Sequence, residues 1–204
     1  MRPVVGITGP AGSGKSTLAG LLARRGFALL SLDRAGHQLL EEPDIKEALV
    51  REFSSAILRL TDGAVSRRKL ADIVFADPRD LERLDRIVHP HLTRRARRWL
   101  TERRRRGEAA VVEGALLYEL GLADLADAVF LLEAPFEERL RRLASRGWDA
   151  RRLAACDRAQ APAEKKLAAG AIPLRGELPP EEAAGALGSF LKRMGWLVDD
   201  GEKP

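Results

Sequence analysis

Residues 4–17 have the sequence VVGITGPAGSGKST, and this stretch decides the fold. The β-branched run from Pro3 to Thr8 predicts a strand, and the glycines that follow predict a loop. Leucines at positions 18, 21 and 22 then recur at helical spacing, and Gly26 predicts the end of that helix. A second apolar run from Phe27 to Leu32 completes a βαβ unit, which predicts a parallel sheet.

The loop itself matches the phosphate-binding pattern G-x-x-x-x-G-K-[ST] in full. Lysine at the seventh position reaches the β and γ phosphates of a nucleotide, and the following hydroxyl can ligate Mg²⁺, so Ser16 is the predicted metal ligand. A glycine-rich turn that binds nothing would not need Lys15 and Ser16 at this spacing. The predicted nucleotide-binding residues are Gly9, Ala11, Gly12, Ser13, Gly14, Lys15, Ser16 and Thr17.

Such a loop occurs in kinases, GTPases and motor ATPases. The segment Asp33 to Gly36 matches the D-x-x-G motif of GTPases, but it follows Lys15 by only eighteen residues. The chain has no asparagine, so the guanine-binding Asn-Lys-x-Asp motif is missing, and it is too short for an added motor. These observations favour a small-molecule kinase with ATP as the phosphate donor.

Asp33 ends the second apolar run. In a parallel sheet it is therefore expected at the carboxyl edge, beside the phosphate-binding loop, where ligands of open α/β sheets bind. A carboxylate there can accept the proton of an alcohol that receives a phosphoryl group. The alternative role is a helix N-cap, and the two roles are compatible because a cap uses one carboxylate oxygen.

Length and composition describe one globular domain: 204 residues, 45% hydrophobic and 32% charged. Cys156 is the only cysteine, which excludes an intrachain disulfide framework. No apolar run approaches the ~20 residues of a membrane helix, and no signal-peptide pattern follows Met1. We therefore expect a cytoplasmic protein without a membrane partner, and we favour a monomer.

The sequence predicts an α/β, three-layer P-loop NTPase fold with a parallel sheet, a helical substrate-binding insert and a lid. The core comprises residues 1–33, 108–134 and 169–204, with a frayed end at 199–204; the insert comprises 34–107 and the lid 135–168. Further strands are expected at Ala110–Val112, with Ala115–Leu117 just beyond, and at Ala128–Leu132. Expected helices cover Ile45–Phe53, Arg68–Phe75, Leu81–Val88, His91–Arg106, Pro135–Arg146 and a closing segment from Pro179, with a turn at His89 and Pro90 opening the His91 helix.

Arginine dominates the basic residues: 28 of 35, against 30 acidic residues, for a net charge of +5. Its planar guanidinium suits phosphate. Spacing places Arg139, Arg142 and Arg146 on one helix face, which could close over ATP as a lid or remain a solvated surface. The denser run Arg94–Arg106 is interpreted as a solvated face; an acidic substrate tail or nucleic acid is the alternative partner.

Several motifs together resemble the dephospho-coenzyme A kinase family over most of the chain. The loop with Ser16 and Thr17 resembles the family opening, and Leu32–His37 its Asp-centred second motif. Ser31 and Ala115 replace an aspartate and a proline common in the family, and residues 168–176 lack its usual aspartate and asparagine. The remaining matches, in the family's order, are Asp62-Gly63, Arg67, Leu70, Val74-Phe75, Leu81-Glu82, His89-Pro90, Val111–Glu113, Leu116–Glu119, Gly121-Leu122, Arg142-Leu143, Arg146 and Gln160.

This resemblance implies transfer of the ATP γ-phosphate to the ribose 3′-hydroxyl of dephospho-coenzyme A, the last step of coenzyme A synthesis. It implies Asp33 as base, Lys15 and Arg142 as further catalytic residues, and Arg142 and Arg146 as ATP ligands. A kinase for another nucleoside or nucleotide, or an ATP-regulated nucleic-acid-binding protein, is the alternative. The residues implied to bind the small-molecule acceptor are Thr8, Asp33, His37, Arg67, His89, Leu117 and Glu119.

Overall fold

A computed structural model describes residues 2–196 of the chain. Five parallel strands form one sheet in the order β2-β3-β1-β4-β5. The strands are β1 (Val4–Thr8), β2 (Ala28–Ser31), β3 (Ala110–Glu113), β4 (Ala128–Glu133) and β5 (Ile172–Arg175). The helices are α1 (Lys15–Arg24), α2 (Leu32–Leu39), α3 (Pro43–Phe53), α4 (Arg67–Val74), α5 (Pro78–Arg105), α6 (Phe136–Ala144), α7 (Ala150–Arg158), α8 (Ala163–Ala168) and α9 (Pro180–Arg193). The predicted α/β fold class is confirmed.

The opening βαβ unit forms as the sequence predicts. All five residues of β1 are buried, and α1 begins at Lys15, directly after the glycine-rich loop. Gly26 follows the end of α1 with φ 88°, and the N–H groups of Gly26 and Phe27 donate to Ala23 and Leu22 carbonyls. This left-handed position closes the helix at low cost only because glycine has no Cβ.

Helices cover the sheet and supply its core. On one face, Ile7, Val111 and Phe130 from the central strands pack against Leu22 of α1 and Leu187 of α9. On the other face, β1 carries Gly6, which leaves room for side chains that pack closely over the strand. β1 therefore lies in a fully buried position in the middle of the sheet, and this holds the loop that follows it.

Two compact units are present, residues 1–31 with 99–204, and residues 32–98. The first contains the sheet. The second contains α2, α3, α4 and most of α5, with Leu39, Leu49 and Ile57 buried in its own core. The predicted subdivision into core, substrate subdomain and lid stays a prediction, as do the monomeric state and the cytoplasmic location. Residues 199–204, expected to be frayed, lie outside the described part.

Three local predictions are wrong. Residues 78–105 form one helix that contains Pro90, so no turn opens a second helix at His91. Proline removes a single N–H donor, and buried Val88, Leu92 and Ala96 on both sides of it keep the helix packed. Residues 115–117 form turns rather than a strand. Helix α6 ends at Ala144, which leaves Arg146 outside it.

Within residues 2–196, no helix combines the length and apolar character that crossing a membrane requires.

Candidate active site

The phosphate-binding loop has a backbone that only glycine adopts easily. Gly9, Gly12 and Gly14 have φ of 142°, 79° and 100°. The loop is also packed tightly from outside: a Cβ on Gly9 would overlap the main-chain oxygen of Leu132, and one on Gly12 would lie 3.0 Å from Arg139 Cβ. The glycines thus fix the loop against β4 and α6 while leaving its N–H groups at the start of α1 for an anion.

Lys15 and Ser16 occupy the first turn of α1. Lys15 is 6% exposed, and its ammonium donates to the Pro10 carbonyl across the loop at 2.9 Å. The exposed Ser16 hydroxyl lies 3.4 Å from both carboxylate oxygens of Glu113, which is 2% exposed at the end of β3. The Lys15 ammonium therefore lies at the same loop as the Ser16 hydroxyl and the Glu113 carboxylate, whose oxygens can ligate a metal ion.

Ser13 carries an orphaned polar atom. It is fully buried in the loop, and its hydroxyl has no hydrogen-bond partner among the described residues. A buried hydroxyl without a partner costs free energy, which a bound acceptor oxygen would relieve. Ala11 is half-buried and Thr17 exposed, so both predicted neighbours remain accessible at the loop.

The three arginines of the predicted lid differ in role. Arg139 is 6% exposed and forms a two-point ion pair with Asp157 at 2.7 and 2.9 Å. Arg142 donates from one nitrogen to the carbonyls of Gly12 and Gly176, at 3.3 and 2.8 Å. Arg146 is exposed and follows the end of α6. Arg139 thus links α6 to α7, and it also donates to the Ala11 carbonyl of the phosphate-binding loop at 3.3 Å, so both Arg139 and Arg142 contact that loop.

A pocket of about 210 Å³ adjoins the loop within the sheet-containing unit. Gly176, after β5, forms one wall, where a Cβ would lie 2.5 Å from the Ser13 carbonyl oxygen and 2.8 Å from that of Glu133. Glycine is therefore needed for the chain to pass this close. The lining residues are Ser13, Gly14, Thr17, Leu18, Leu132, Arg142, Gly176, Leu178 and Ala183.

Three of the predicted acceptor-binding residues lie in the turn after β3 or against it, and their side chains are engaged in internal contacts. The Thr8 hydroxyl donates to the Ala115 carbonyl at 3.2 Å, and the buried Lys166 ammonium donates to the same oxygen at 3.0 Å. Lys166 also lies 3.5 Å from a Glu119 carboxylate oxygen. That oxygen accepts the Ala161 N–H at 2.7 Å. Leu117 is fully buried over Gly6, so it packs in the core.

The second unit holds the remaining predicted residues. Asp33 is exposed and is the second residue of α2. It therefore does not occupy the N-cap position, which precedes the first residue of a helix. One turn later, His37 Nδ1 lies 3.1 Å from Arg67 Nη1. Burial of the ring and the Arg67 charge lower the His37 pKa, against a smaller opposing effect of Asp33. His89 Nε2 lies 3.1 Å from Asp85, one turn earlier in α5.

Four of the eight arginines at 94–106 pair with carboxylates. Arg95 pairs with Glu42, Arg103 with Glu108 and Arg104 with Asp127, and Arg106 pairs with Glu102 in its own helix. Six of the eight arginines are exposed, which agrees with the interpretation of the run as a solvated face.

Sequence reasoning missed Glu113 and Gly176 as site residues. Glu113 carried a usable signal, since an acid at the end of an otherwise apolar strand is expected at the carboxyl edge of the sheet. Gly176 carried none, because its closeness to Ser13 and Glu133 arises from the pairing of β4 with β5.

Comparison with known proteins gives a consistent result. The family model for dephospho-CoA kinase matches residues 3–176. A dephospho-CoA kinase of Deinococcus radiodurans is 35% identical, over 93% of this chain and 91% of its own. A dephospho-CoA kinase of Thermus thermophilus is 40% identical, over 80% of this chain and 77% of its own.

The fold agrees as well. A crystal structure of a Thermus thermophilus protein, 36% identical, superposes with a TM-score of 0.71 and covers 95% of this chain and 99% of that one. The phosphate-binding loop and its lysine thus occur in a chain whose sequence matches one family over residues 3–176. The chain belongs to the dephospho-CoA kinase family.

Proposed function

We propose that this protein transfers the γ-phosphate of ATP to the ribose 3′-hydroxyl of dephospho-coenzyme A, forming coenzyme A and ADP. The observation that carries the proposal is the intact phosphate-binding loop, with buried Lys15 and the Ser16–Glu113 pair, in a chain of this family. Phosphoryl transfer requires mainly positioning and neutralisation of charge, and this loop is built for both.

The loop is proposed to hold the ATP phosphates. Main-chain N–H groups of residues 11–16 bind the phosphate oxygens, Lys15 neutralises the β and γ phosphates, and Thr17 contacts the α phosphate. The orphaned Ser13 hydroxyl gains a partner when phosphate is bound. Gly9, Gly12 and Gly14 contribute by shape, since any side chain there would strain the loop or clash outside it.

Mg²⁺ fits the Ser16–Glu113 pair. Mg²⁺ prefers oxygen ligands and is usually held by one or two protein groups together with substrate phosphates. No group of three or more candidate metal-ligating side chains occurs in residues 2–196, so the phosphates would complete the coordination. When bound, Mg²⁺ supplies neutralisation of the phosphate charge. Glu113 orients the Ser16 hydroxyl toward that position.

The pocket beside the loop is proposed to hold the adenosine of ATP. Leu18, Leu132 and Leu178 give it apolar surface for a base, and it opens next to Ser13 and Gly14 of the phosphate-binding loop. Arg142 connects the two parts through its hydrogen bonds to Gly12 and Gly176.

Asp33 is proposed as the general base. Its carboxylate accepts the proton of the acceptor 3′-hydroxyl as that oxygen forms a bond to the γ-phosphorus and the bond from γ-phosphorus to the β,γ-bridging oxygen breaks. Arg142 and Arg146 are proposed to neutralise the transferring phosphoryl group. We further propose residues 34–107 as the acceptor-binding subdomain and 135–168 as a lid that excludes water.

The acceptor-binding residues are proposed to act in two ways. Asp33, His37, Arg67 and His89 are polar groups of the second unit that can contact the acceptor. Thr8, Leu117 and Glu119 act indirectly, since their side chains support the turn after β3.

The test is ADP release from Mg-ATP by the purified protein, with and without dephospho-coenzyme A, and the mass of the product. We expect ADP release to depend on dephospho-coenzyme A and the product to have the mass of coenzyme A. Adenosine and AMP serve as matched acceptors that share the ribose and the base. Faster turnover with either of them than with dephospho-coenzyme A would assign the protein to another acceptor.

A further inference from the structure

Arg139 of α6 is bonded to the protein through all three of its guanidinium nitrogens. Nε donates to the Ala134 carbonyl at 3.0 Å, and Nη1 and Nη2 donate to the two carboxylate oxygens of Asp157 at 2.9 and 2.7 Å. Nη1 also donates to the Ala11 carbonyl of the phosphate-binding loop at 3.3 Å. The side chain is almost wholly buried, and Asp157 neutralises its charge. Arg139 is therefore part of the protein's internal structure rather than a cation that faces a ligand.

The phosphate-binding loop rests on the backbone of α6 at this same residue. A Cβ on Gly12 would lie 3.0 Å from both the Cβ and the carbonyl oxygen of Arg139. The Gly12 carbonyl in turn accepts from Arg142, one turn further along α6, at 3.3 Å. Two successive carbonyls of the loop, those of residues 11 and 12, are thus held by arginines of one helix.

The direction of these carbonyls sets the direction of the loop's N–H groups. In a planar trans peptide, the carbonyl of one residue and the N–H of the next point to opposite sides of the chain. With the Ala11 and Gly12 carbonyls directed at α6, the N–H groups of Gly12 and Ser13 point away from it, into the loop. The Ser13 N–H agrees with this, since it donates across the loop to the Pro10 carbonyl at 3.3 Å. The Lys15 ammonium donates to that same oxygen, so the two donors converge inside the loop.

We propose that Arg139 is a positioning residue of the phosphate-binding loop, which holds the Ala11 carbonyl outward and so keeps the Gly12 N–H directed at the phosphates of ATP. The inference rests on the proposed function for the identity of the nucleotide. Since Asp157 neutralises Arg139, the contribution is geometric rather than electrostatic. A loop whose N–H groups already converge loses less conformational freedom when phosphate binds, and this raises the affinity.

The ion pair with Asp157 offers a competing explanation. If Arg139 mattered only because it joins α6 to α7, the loss of either partner would affect nucleotide binding equally. The two partners differ because the guanidinium also donates to the loop. Arg139→Gln can keep the bond to the Ala134 carbonyl, but its shorter side chain cannot reach Ala11 or Asp157. Asp157→Asn removes the ion pair and leaves the bond from Arg139 to Ala11 in place.

The first experiment measures the KM for ATP and the KM for dephospho-coenzyme A in Arg139→Gln, Asp157→Asn and Arg141→Gln. Arg141 is the matched control, an exposed arginine of the same helix. We expect Arg139→Gln to raise the KM for ATP about fivefold, the scale of one hydrogen bond, with a smaller change in the KM for dephospho-coenzyme A. The other two variants should keep the natural KM for ATP. An equal KM for ATP in Arg139→Gln and Asp157→Asn would overturn the proposal.

A double variant, Arg139→Gln with Asp157→Asn, separates loop positioning from stability. It removes both charges of the pair, so no carboxylate loses its charged donors, and it should resist urea better than Arg139→Gln alone. Its KM for ATP should nevertheless stay raised, because the donor to the Ala11 carbonyl is still missing. Urea unfolding and initial rates measure the two effects. A KM for ATP that returned to the natural value together with the stability would refute the positioning role.

Binding without an acceptor separates this inference from the proposed function. ADP is titrated calorimetrically into the natural protein and into Arg139→Gln, and AMP, which lacks the β phosphate, is measured as a competitor of ADP. We expect Arg139→Gln to bind ADP about fivefold more weakly and AMP almost unchanged. That result, without turnover of dephospho-coenzyme A, would reject only the proposed function. Equal losses for ADP and AMP, or no loss for either, would reject the positioning role of Arg139.

Discussion

The sheet-containing unit and the unit of residues 32–98 differ in the groups that form their candidate sites. At the phosphate-binding loop, main-chain groups and buried side chains do the work: Lys15 and Glu113 are nearly inaccessible, and glycines touch neighbouring backbone. In the other unit, the groups proposed to contact the acceptor are mostly exposed side chains such as Asp33, His37 and Arg67. The first site is fixed by packing. The second consists of exposed side chains, so substitutions there should change the affinity for the acceptor more than they change the stability of the fold.

The largest expected effect is at the packed site. Lys15→Ala should lower kcat/KM roughly 10⁴-fold, the scale of a cation that neutralises a transferring phosphoryl group. The measurement is dephospho-coenzyme A-dependent ADP release, with far-UV circular dichroism to confirm folding. Lys165→Ala, an exposed lysine of α8, is the control and should retain full activity. Activity of Lys15→Ala within tenfold of the natural protein would contradict the role of Lys15.

Asp33→Asn tests whether the other unit also supplies chemistry. We expect kcat to fall on the order of 10³-fold, as loss of a general base does, with a small change in the KM for ATP. Asp44→Asn is a close control, since Asp44 and Asp33 are both exposed and each is the second residue of its helix. The control reports the loss of helix-dipole stabilisation alone. Equal turnover in the two variants would assign Asp33 to the helix rather than to the reaction.

The parts of the fold that could be predicted from the sequence are those that depend on local spacing. The loop, α1 and the glycine stop at position 26 are local, so spacing predicts them. The turn predicted at Pro90 is wrong. Proline usually breaks a helix, yet the apolar stripe through Val88 and Leu92 continues across it. Strand β5 was not predicted because Pro173 interrupts its apolar pattern. Proline is tolerated there because β5 lies at the edge of the sheet.

Long-range contacts at the candidate site were beyond sequence reasoning. Lys166 looks like half of a solvated lysine pair, but it is 3% exposed and reaches the Ala115 carbonyl, 51 residues away. Arg139 and Arg142 share a helix and a residue type, and both donate to carbonyls of the loop, but only tertiary packing gives Arg139 its buried ion pair with Asp157.

Gly176→Ala should have an intermediate effect that comes from packing alone. The new Cβ would meet main-chain oxygens of Ser13 and Glu133, which cannot yield without moving the phosphate-binding loop. We expect a loss of about 1–3 kcal/mol in the free energy of unfolding and a KM for ATP raised about tenfold. Urea unfolding and initial rates measure the two effects.

Its control is Gly185→Ala in α9, where an added Cβ would meet nothing within 4 Å. Alanine in a helix interior is favoured over glycine, so this variant should be more stable by about 0.5–1 kcal/mol with unchanged activity. If Gly176→Ala proved as stable and as active as Gly185→Ala, the close approach of the β5–α9 loop would not be what shapes the proposed adenosine pocket.

The last prediction compares two arginines of α6 through their effect on stability. Arg139 is 7% exposed at its side chain and donates to Asp157 twice, whereas Arg141 is 77% exposed and pairs with Glu138 on the surface. Arg139→Gln should lower the free energy of unfolding by about 2 kcal/mol, because it leaves Asp157 without its charged donors. Arg141→Gln should change it by less than about 0.5 kcal/mol, since exposed ion pairs contribute little. Equal losses on urea unfolding would mean that the Arg139–Asp157 pair does not hold α6 to α7, and that burial is not what separates these arginines.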